Sequence, residues 1–249
     1  MRRVMFFAAL AAALWQAPVR AQPVAVFDSE SGRPLGFPGS PGRSFIGEAF
    51  NLAPTGSPVL ITQMDTFLVS ATATAYNDIQ LRVQFWNTAS NATSGAGPVF
   101  SNPAGGPLVF DFGAFTTAAA TAYTINGLTF ASPVLLDGTT NLGMTMNWQG
   151  DTGTGLANTD NLTASVGVAP TAAGSVTVGG GNGYYRNASG ETDFNFAGTD
   201  GRSLGGSSTA NPSADAFRLY VAAPEPGSTA LCGFAAAAAA GLWRRRRTG

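Results

Sequence analysis

Apolar and polar residues alternate with a period of two through most of this chain, the repeat of a strand with one buried face. Ile79, Leu81, Val83 and Phe85 interleave with Gln80, Arg82, Gln84 and Trp86, and Leu142, Met144, Met146 and Trp148 interleave with Gly143, Thr145, Asn147 and Gln149. Phe217, Leu219 and Val221 against Arg218 and Tyr220 predict a last strand. Residues 59–70, 107–112, 122–130, 134–136 and 162–168 read as further strands, and 44–50 opens the series. Asn126-Gly127 predicts a two-residue hairpin turn, since both central positions favour positive φ, and Asp137-Gly138 predicts a second. No window carries a capped amphipathic helix; residues 118–122 tolerate one but are too short to hold it. Many short strands punctuated by Gly, Pro, Thr and Asn predict an all-β antiparallel sandwich of jelly-roll type.

The alternation stops at both ends. Arg2-Arg3 precede an apolar run over residues 4–14, and the small-residue pattern Val19-Arg20-Ala21 follows. This predicts a secretory signal peptide over 1–21, cleaved after Ala21, with a mature chain starting near Gln22. At the other end come Pro224-Glu225-Pro226, an apolar stretch over 227–243 rich in Ala, and then Arg244-Arg245-Arg246-Arg247. That stretch sits at the short limit for a membrane helix. The four arginines hold its end on the cytoplasmic side and Trp243 stands where an interfacial aromatic belongs, so the body is expected across the membrane. The expected organisation is therefore a leader (1–21), a β-sandwich body (22–221) and a C-terminal segment (222–249).

The order Pro224-Glu225-Pro226, apolar segment, Arg244 to Arg247 resembles the PEP-CTERM sorting signal of Gram-negative bacteria. The likeness covers about a tenth of the chain. It implies that an integral-membrane exosortase recognises Pro224, Glu225 and Pro226 and processes the tail, with 227–243 as the membrane segment and the arginines as its stop. It further implies delivery to the envelope surface or an exopolysaccharide matrix after transient anchoring in the inner membrane. Cys232 within the segment and its Ala richness depart from the pattern. Residues 44–50, 60–65 and 215–220 also resemble the lectin-like sandwich domains found before such tails.

Composition narrows the chemistry of the body. Six arginines against thirteen acids leave residues 22–221 seven charges negative, and the near-neutral total of the whole chain comes from arginines at its ends. No basic cluster lies outside the termini, so nucleic acid is not an expected partner. The chain has no His and no Lys. This removes Ser-His-Asp and Cys-His nucleophiles, His-ligated zinc, Schiff bases and Walker A phosphate sites. The one Cys lies in the tail, so the body has neither disulfide nor thiolate metal site, and cohesion must come from a core that 200 residues are enough to build.

What remains is binding or carboxylate chemistry. Trp86, Tyr184 and Tyr185 are candidates for a sugar-stacking platform, because flat apolar rings suit the C–H faces of pyranoses. Trp86 falls on the face opposite the apolar set of its strand, which predicts exposure, whereas Trp148 shares the apolar register and is expected in the core. No cofactor is expected, with calcium the one candidate: Asp193, Asn195 and Asp200 offer oxygen ligands, though their spacing matches no EF-hand loop. Gly179-Gly180-Gly181-Asn182-Gly183 lacks a following Lys and reads as flexible loop, within a long irregular stretch over 179–206; residues 29–44 read as an extended lead-in. Asn91, Asn161 and Asn187 head glycosylation sequons, which arise by chance in such a composition. The expected function is a non-catalytic, exported adhesion or polysaccharide-interaction module. The alternative class is a secreted carbohydrate-active hydrolase, which needs only two carboxylates, with Glu48, Glu191 and the aspartates as candidates.

Overall fold

The computed structural model describes residues 22–29, 45–53, 56–89, 100–138, 141–159, 161–163, 178–186 and 217–222. The chain divides into two compact units, Val24–Val221 and a second comprising Met1–Pro23 with Ala222–Gly249. Of the second, only residues 22, 23 and 222 are described, so Ala21, Pro224 to Pro226, the apolar stretch and Arg244 to Arg247 lie outside the described residues.

The body is all-β and antiparallel, and no helix occurs among the described residues. Its strands are β1 (Val24–Asp28), β2 (Phe45–Asn51), β3 (Val59–Ser70), β4 (Thr74–Tyr76), β5 (Asp78–Ala89), β6 (Phe100–Pro103) and β7 (Leu108–Asp111). They continue with β8 (Phe115–Thr117), β9 (Thr121–Leu136), β10 (Leu142–Asp151), β11 (Ala157–Asn158), β12 (Leu162–Thr163), β13 (Gly180–Arg186) and β14 (Arg218–Val221). One sheet runs β1-β14-β3, with β9 on the other edge of β3 and β12 taking over from β14 along its length. The other runs β13-β2-β10-β5-β6, with β11 extending the β2 edge of β10 and β7 lying beside β6 along β5. β4 and β8 form a separate ribbon.

The two larger sheets face each other across one core. The alternation predicted for β5 and β10 holds: Ile79, Leu81, Val83 and Phe85, with Leu142, Met144, Met146 and Trp148, are each 1% exposed or less. They join Ile61, Met64 and Leu68 of β3 and Leu219 of β14 in one cluster. Aromatic rings tie the sheets: Phe27 of β1 lies 5.0 Å from Phe50 of β2 and stacks at 4.4 Å on Phe217, which leads into β14. Burying each such ring contributes about 2–3 kcal/mol.

Three local expectations are corrected. Gly127 does take a positive φ, at 74°, but Asn126 does not. A type I′ hairpin needs both. The chain instead makes a bulge inside β9, opposite Met64 to Thr66, and a second irregularity between Thr129 and Val134, opposite Ile61 to Gln63, joins the two strands predicted at 122–130 and 134–136 into one along β3. Asp137-Gly138 joins strands of different sheets, β9 and β10, and so is a crossing rather than a hairpin. The glycine run expected as loop is largely β13, whose Gly180 pairs with Asn51 and Arg186 with Ile46. Of residues 162–168, Leu162 and Thr163 form β12 and the rest lie outside the described residues, as does 30–44 of the lead-in.

An ion network laces the outer side of the first sheet. Arg218 Nε lies 3.0 Å from Asp28 Oδ2 and its Nη1 lies 3.5 Å from Asp65 Oδ2, bridging β1, β14 and β3. Tyr220 donates a hydrogen bond to the same Asp65 oxygen, and Asp65 Oδ1 accepts from the backbone N–H of Gly127 at 2.7 Å, which brings in β9 and fixes the bulge. Asp28 and Asp65 are only 6% and 5% exposed. Removing Arg218 therefore leaves two buried carboxylates without their shared cation. Arg218→Ala is expected to lower the unfolding free energy by about 3–5 kcal/mol, read from urea denaturation of the protein. The Tyr220 hydroxyl is pushed above its ordinary value of 10.0, first by burial and then by the hydrogen bond it donates to Asp65. Folding thus holds a proton the unfolded chain has released, so this contribution is complete below pH 10 and is lost as pH rises through the raised folded value. Tyr220→Phe is expected to flatten that alkaline loss of stability in thermal melts taken between pH 9 and 11.

Candidate functional site

The stacking platform predicted from Trp86, Tyr184 and Tyr185 is not assembled as expected. Trp86 is 7% exposed, which corrects its predicted exposure. It does face away from the main core, but a second, smaller cluster of Trp86, Ala49, Ala89 and Phe100 covers that face. Its indole N–H donates to Thr145 Oγ1 at 3.0 Å. The cover is Phe100, whose ring lies over a floor of small residues: a Cβ added at Gly143 or Gly47 would come within 2.5 or 2.7 Å of it. Trp86 pairs with Gly143 and Gly143 with Ala49, while Tyr185 pairs with Gly47 and Tyr184 with Glu48. Trp86 and the tyrosine pair are thus three strand spacings apart, about 14 Å. Asp193, Asp200 and Glu191 lie outside the described residues, and among the described ones no set of three or more metal-ligating side chains is gathered. Trp148, expected in the core, is 1% exposed. Glu48 is wholly buried, with β2 placing it opposite Met144, which removes it from any surface cleft.

A concave site does exist, at the end of the sandwich where β3, β5, β7, β9 and β10 come together. Leu68, Ile79 and Ile125, with the aromatic side chains of Phe112, Phe115, Tyr123 and Trp148, line an apolar cavity of about 40 Å³. Local hydrogen bonds set the walls. The turn after β7 is pinned to β5 by Phe112 N–H to Ile79 C=O at 3.0 Å and Ile79 N–H to Gly113 C=O at 3.1 Å. Asp111 Oδ1 accepts from Gly113 N–H at 2.9 Å, closing the turn that separates the two phenylalanines. Phe112 packs on Trp148 with ring centroids 5.4 Å apart, and Phe115 meets Tyr123 edge-on at 5.1 Å. The Tyr123 hydroxyl is held by Ala118 N–H at 2.6 Å. Phe112 and Phe115 each remain 37% exposed. Neither stands out in the sequence, where Phe112 ends the strand predicted at 107–112; two phenylalanines either side of Gly113 were the available signal.

Polar groups are set close by in the chain. Asp78 of β5 stands directly opposite Asp151 of β10, and Gln80 opposite Asp111 of β7. Gln80 Nε2 donates to Asp78 Oδ2 at 3.2 Å and to Asp111 Oδ2 at 3.4 Å. Asp151 Oδ1 accepts from Gly153 N–H at 2.7 Å and Gly155 N–H at 2.8 Å, and these bonds hold its carboxyl below the usual value. Such a group accepts hydrogen bonds well and is poorly suited to donate a proton. The Asn161 amide is likewise committed: Nδ2 donates to Thr72 C=O, Thr74 Oγ1 and Tyr76 Oη at 3.2, 3.1 and 2.7 Å. Its sequon is therefore a brace for this end of the body.

Compared with family models, curated proteins and solved structures, the chain finds no match in any of the three.

The close approach of Phe100 to Gly143 yields a direct test. Gly143→Ala is expected to destabilise by about 1–3 kcal/mol through overpacking. In a Phe100→Ala background the same change should cost far less, and the coupling in a double-mutant cycle of denaturation free energies measures the contact.

Proposed function

We propose that this chain is an exported, exosortase-processed protein of the envelope surface or extracellular matrix, whose sandwich is a non-catalytic polysaccharide-interaction module. The delivery half of this reading rests on the leader over 1–21 and on the order Pro224-Glu225-Pro226, apolar stretch, Arg244 to Arg247. The binding half is carried by one observation: two exposed phenylalanines, Phe112 and Phe115, presented at the mouth of an aromatic-walled cavity. Flat rings of this kind suit the apolar faces of sugars. We further read the sandwich as jelly-roll and lectin-like, a reading supported by the many neighbours distant in sequence, such as β1 beside β14 and β13 beside β2. Calcium at Asp193 and Asp200 stays part of the proposal only as a candidate.

The hydrolytic alternative finds a facing pair of carboxylates among the described residues, Asp78 and Asp151. A glycosidase needs one of its two carboxyls protonated near neutral pH; the loop amides push Asp151 the opposite way and leave it the role of the ionised partner. The binding reading is preferred on the exposed rings beside the cavity.

The test is the intact mass of the native protein recovered separately from membranes and from extracellular polymer. A chain beginning near Gln22 and lacking the residues beyond Pro224 to Pro226, found with the polymer, is the expected result. A full-length C-terminus confined to membranes would replace the sorting reading with a plain anchor, and polymer free of the protein would remove the matrix role.

A further inference from the structure

We propose that the cavity beside Phe112 and Phe115 takes the methyl end of an acetyl substituent on a neutral polysaccharide. The inference rests on the polysaccharide-binding reading above and names the feature of the polymer that is recognised.

Size sets the first limit. A volume of about 40 Å³ admits a few heavy atoms, since one water-sized probe occupies roughly 10–15 Å³ on the same kind of measure. A pyranose ring or a lipid chain is too large, so only a substituent enters. Polarity sets the second. The cavity wall presents carbon alone: of the polar atoms on the lining side chains, the Tyr123 hydroxyl is engaged with Ala118 N–H at 2.6 Å, and Trp148 Nε1 is buried beneath the surface. A sugar hydroxyl placed there would lose its water without gaining a partner, a cost a methyl group does not carry.

Charge sets the third, at longer range. Asp78 and Asp111 share the outer face of the sheet with Gln80, which donates to both, and Asp151 stands opposite Asp78. Uronates and pyruvate ketals would approach this negative field, while a neutral acetylated sugar meets no repulsion. Phe112 and Phe115, each 37% exposed, then offer shelves for the ring that bears the substituent.

The test uses isothermal titration calorimetry of the mature exported protein with O-acetylated glucomannan oligosaccharides and with the same oligosaccharides after alkaline deacetylation. The acetylated form is expected to bind about four- to tenfold more tightly, the discrimination that burying one methyl group supplies. Ile125→Phe, which fills the cavity, should abolish that difference while leaving the weaker binding, and Phe115→Ser should weaken both forms. Equal affinity for the two forms would overturn the acetyl inference and leave the polysaccharide reading standing. Absence of binding to either would overturn both. The comparison on the unaltered protein stands even where a variant fails to fold.

Discussion

The sheet that closes the body depends on one cation. Arg218 stands between Asp28 and Asp65, and through Asp65 the network reaches Tyr220 and the Gly127 amide. Four strands drawn from residues 24 to 221 are thereby held by one connected set of polar groups. Two carboxylates buried this deeply are tolerated only because a guanidinium and several donors satisfy them. The body contains six arginines and no lysine or histidine, so few side chains can take the role, and a lysine at 218 would lack the planar fork that serves both acids. Such a network contributes more to fixing register than to net stability. Here it aligns the bulge of β9 with β3 and the last strand with the first.

That arrangement has consequences for how the body forms. β14 is an interior strand, between β1 and β3, and Ser29 exchanges hydrogen bonds with Phe217 across 188 residues of chain. The first sheet is incomplete until residue 221 is available, and strand pairings this distant in sequence form slowly. Until β14 docks, the edges of β1 and β3 that it pairs with stay open.

Much of the fold was legible because alternation with a single buried face is a strong signal. β3 spans Val59–Ser70 as read, and β5 and β10 bury the predicted apolar sets. The misreadings share a cause, which is that local chemistry fixes a backbone angle but not its use. Gly127 wants positive φ both in a hairpin and in a bulge, and the choice was made by the Asp65 carboxylate, 62 positions away, which accepts its N–H. The glycine run that opens β13 can be a loop or an edge strand, and pairing with β2 decides it. Trp86 was assigned to the correct face, yet exposure depended on whether Phe100 would lie over it, and that rested on Gly143 and Gly47 leaving room one and two strands away. The cavity was invisible for a related reason: Leu68, Phe112, Tyr123 and Trp148 come from four separate segments, and no spacing along the chain links them.

The same glycines set the Trp86–Phe100 pair apart from the rings of Phe112 and Phe115. Phe100 lies on a floor with no side chains, so its ring and that of Trp86 are sealed against the sheet, and the cluster consumes its own apolar surface. At the sandwich end the turn around Gly113 is anchored by backbone hydrogen bonds and by Asp111 rather than by a covering side chain. Phe112 and Phe115 are consequently held in place while part of each ring stays open. A rigid exposed ring loses little freedom when a ligand settles on it, and that preorganisation, more than contact area, is what lets a shallow site bind.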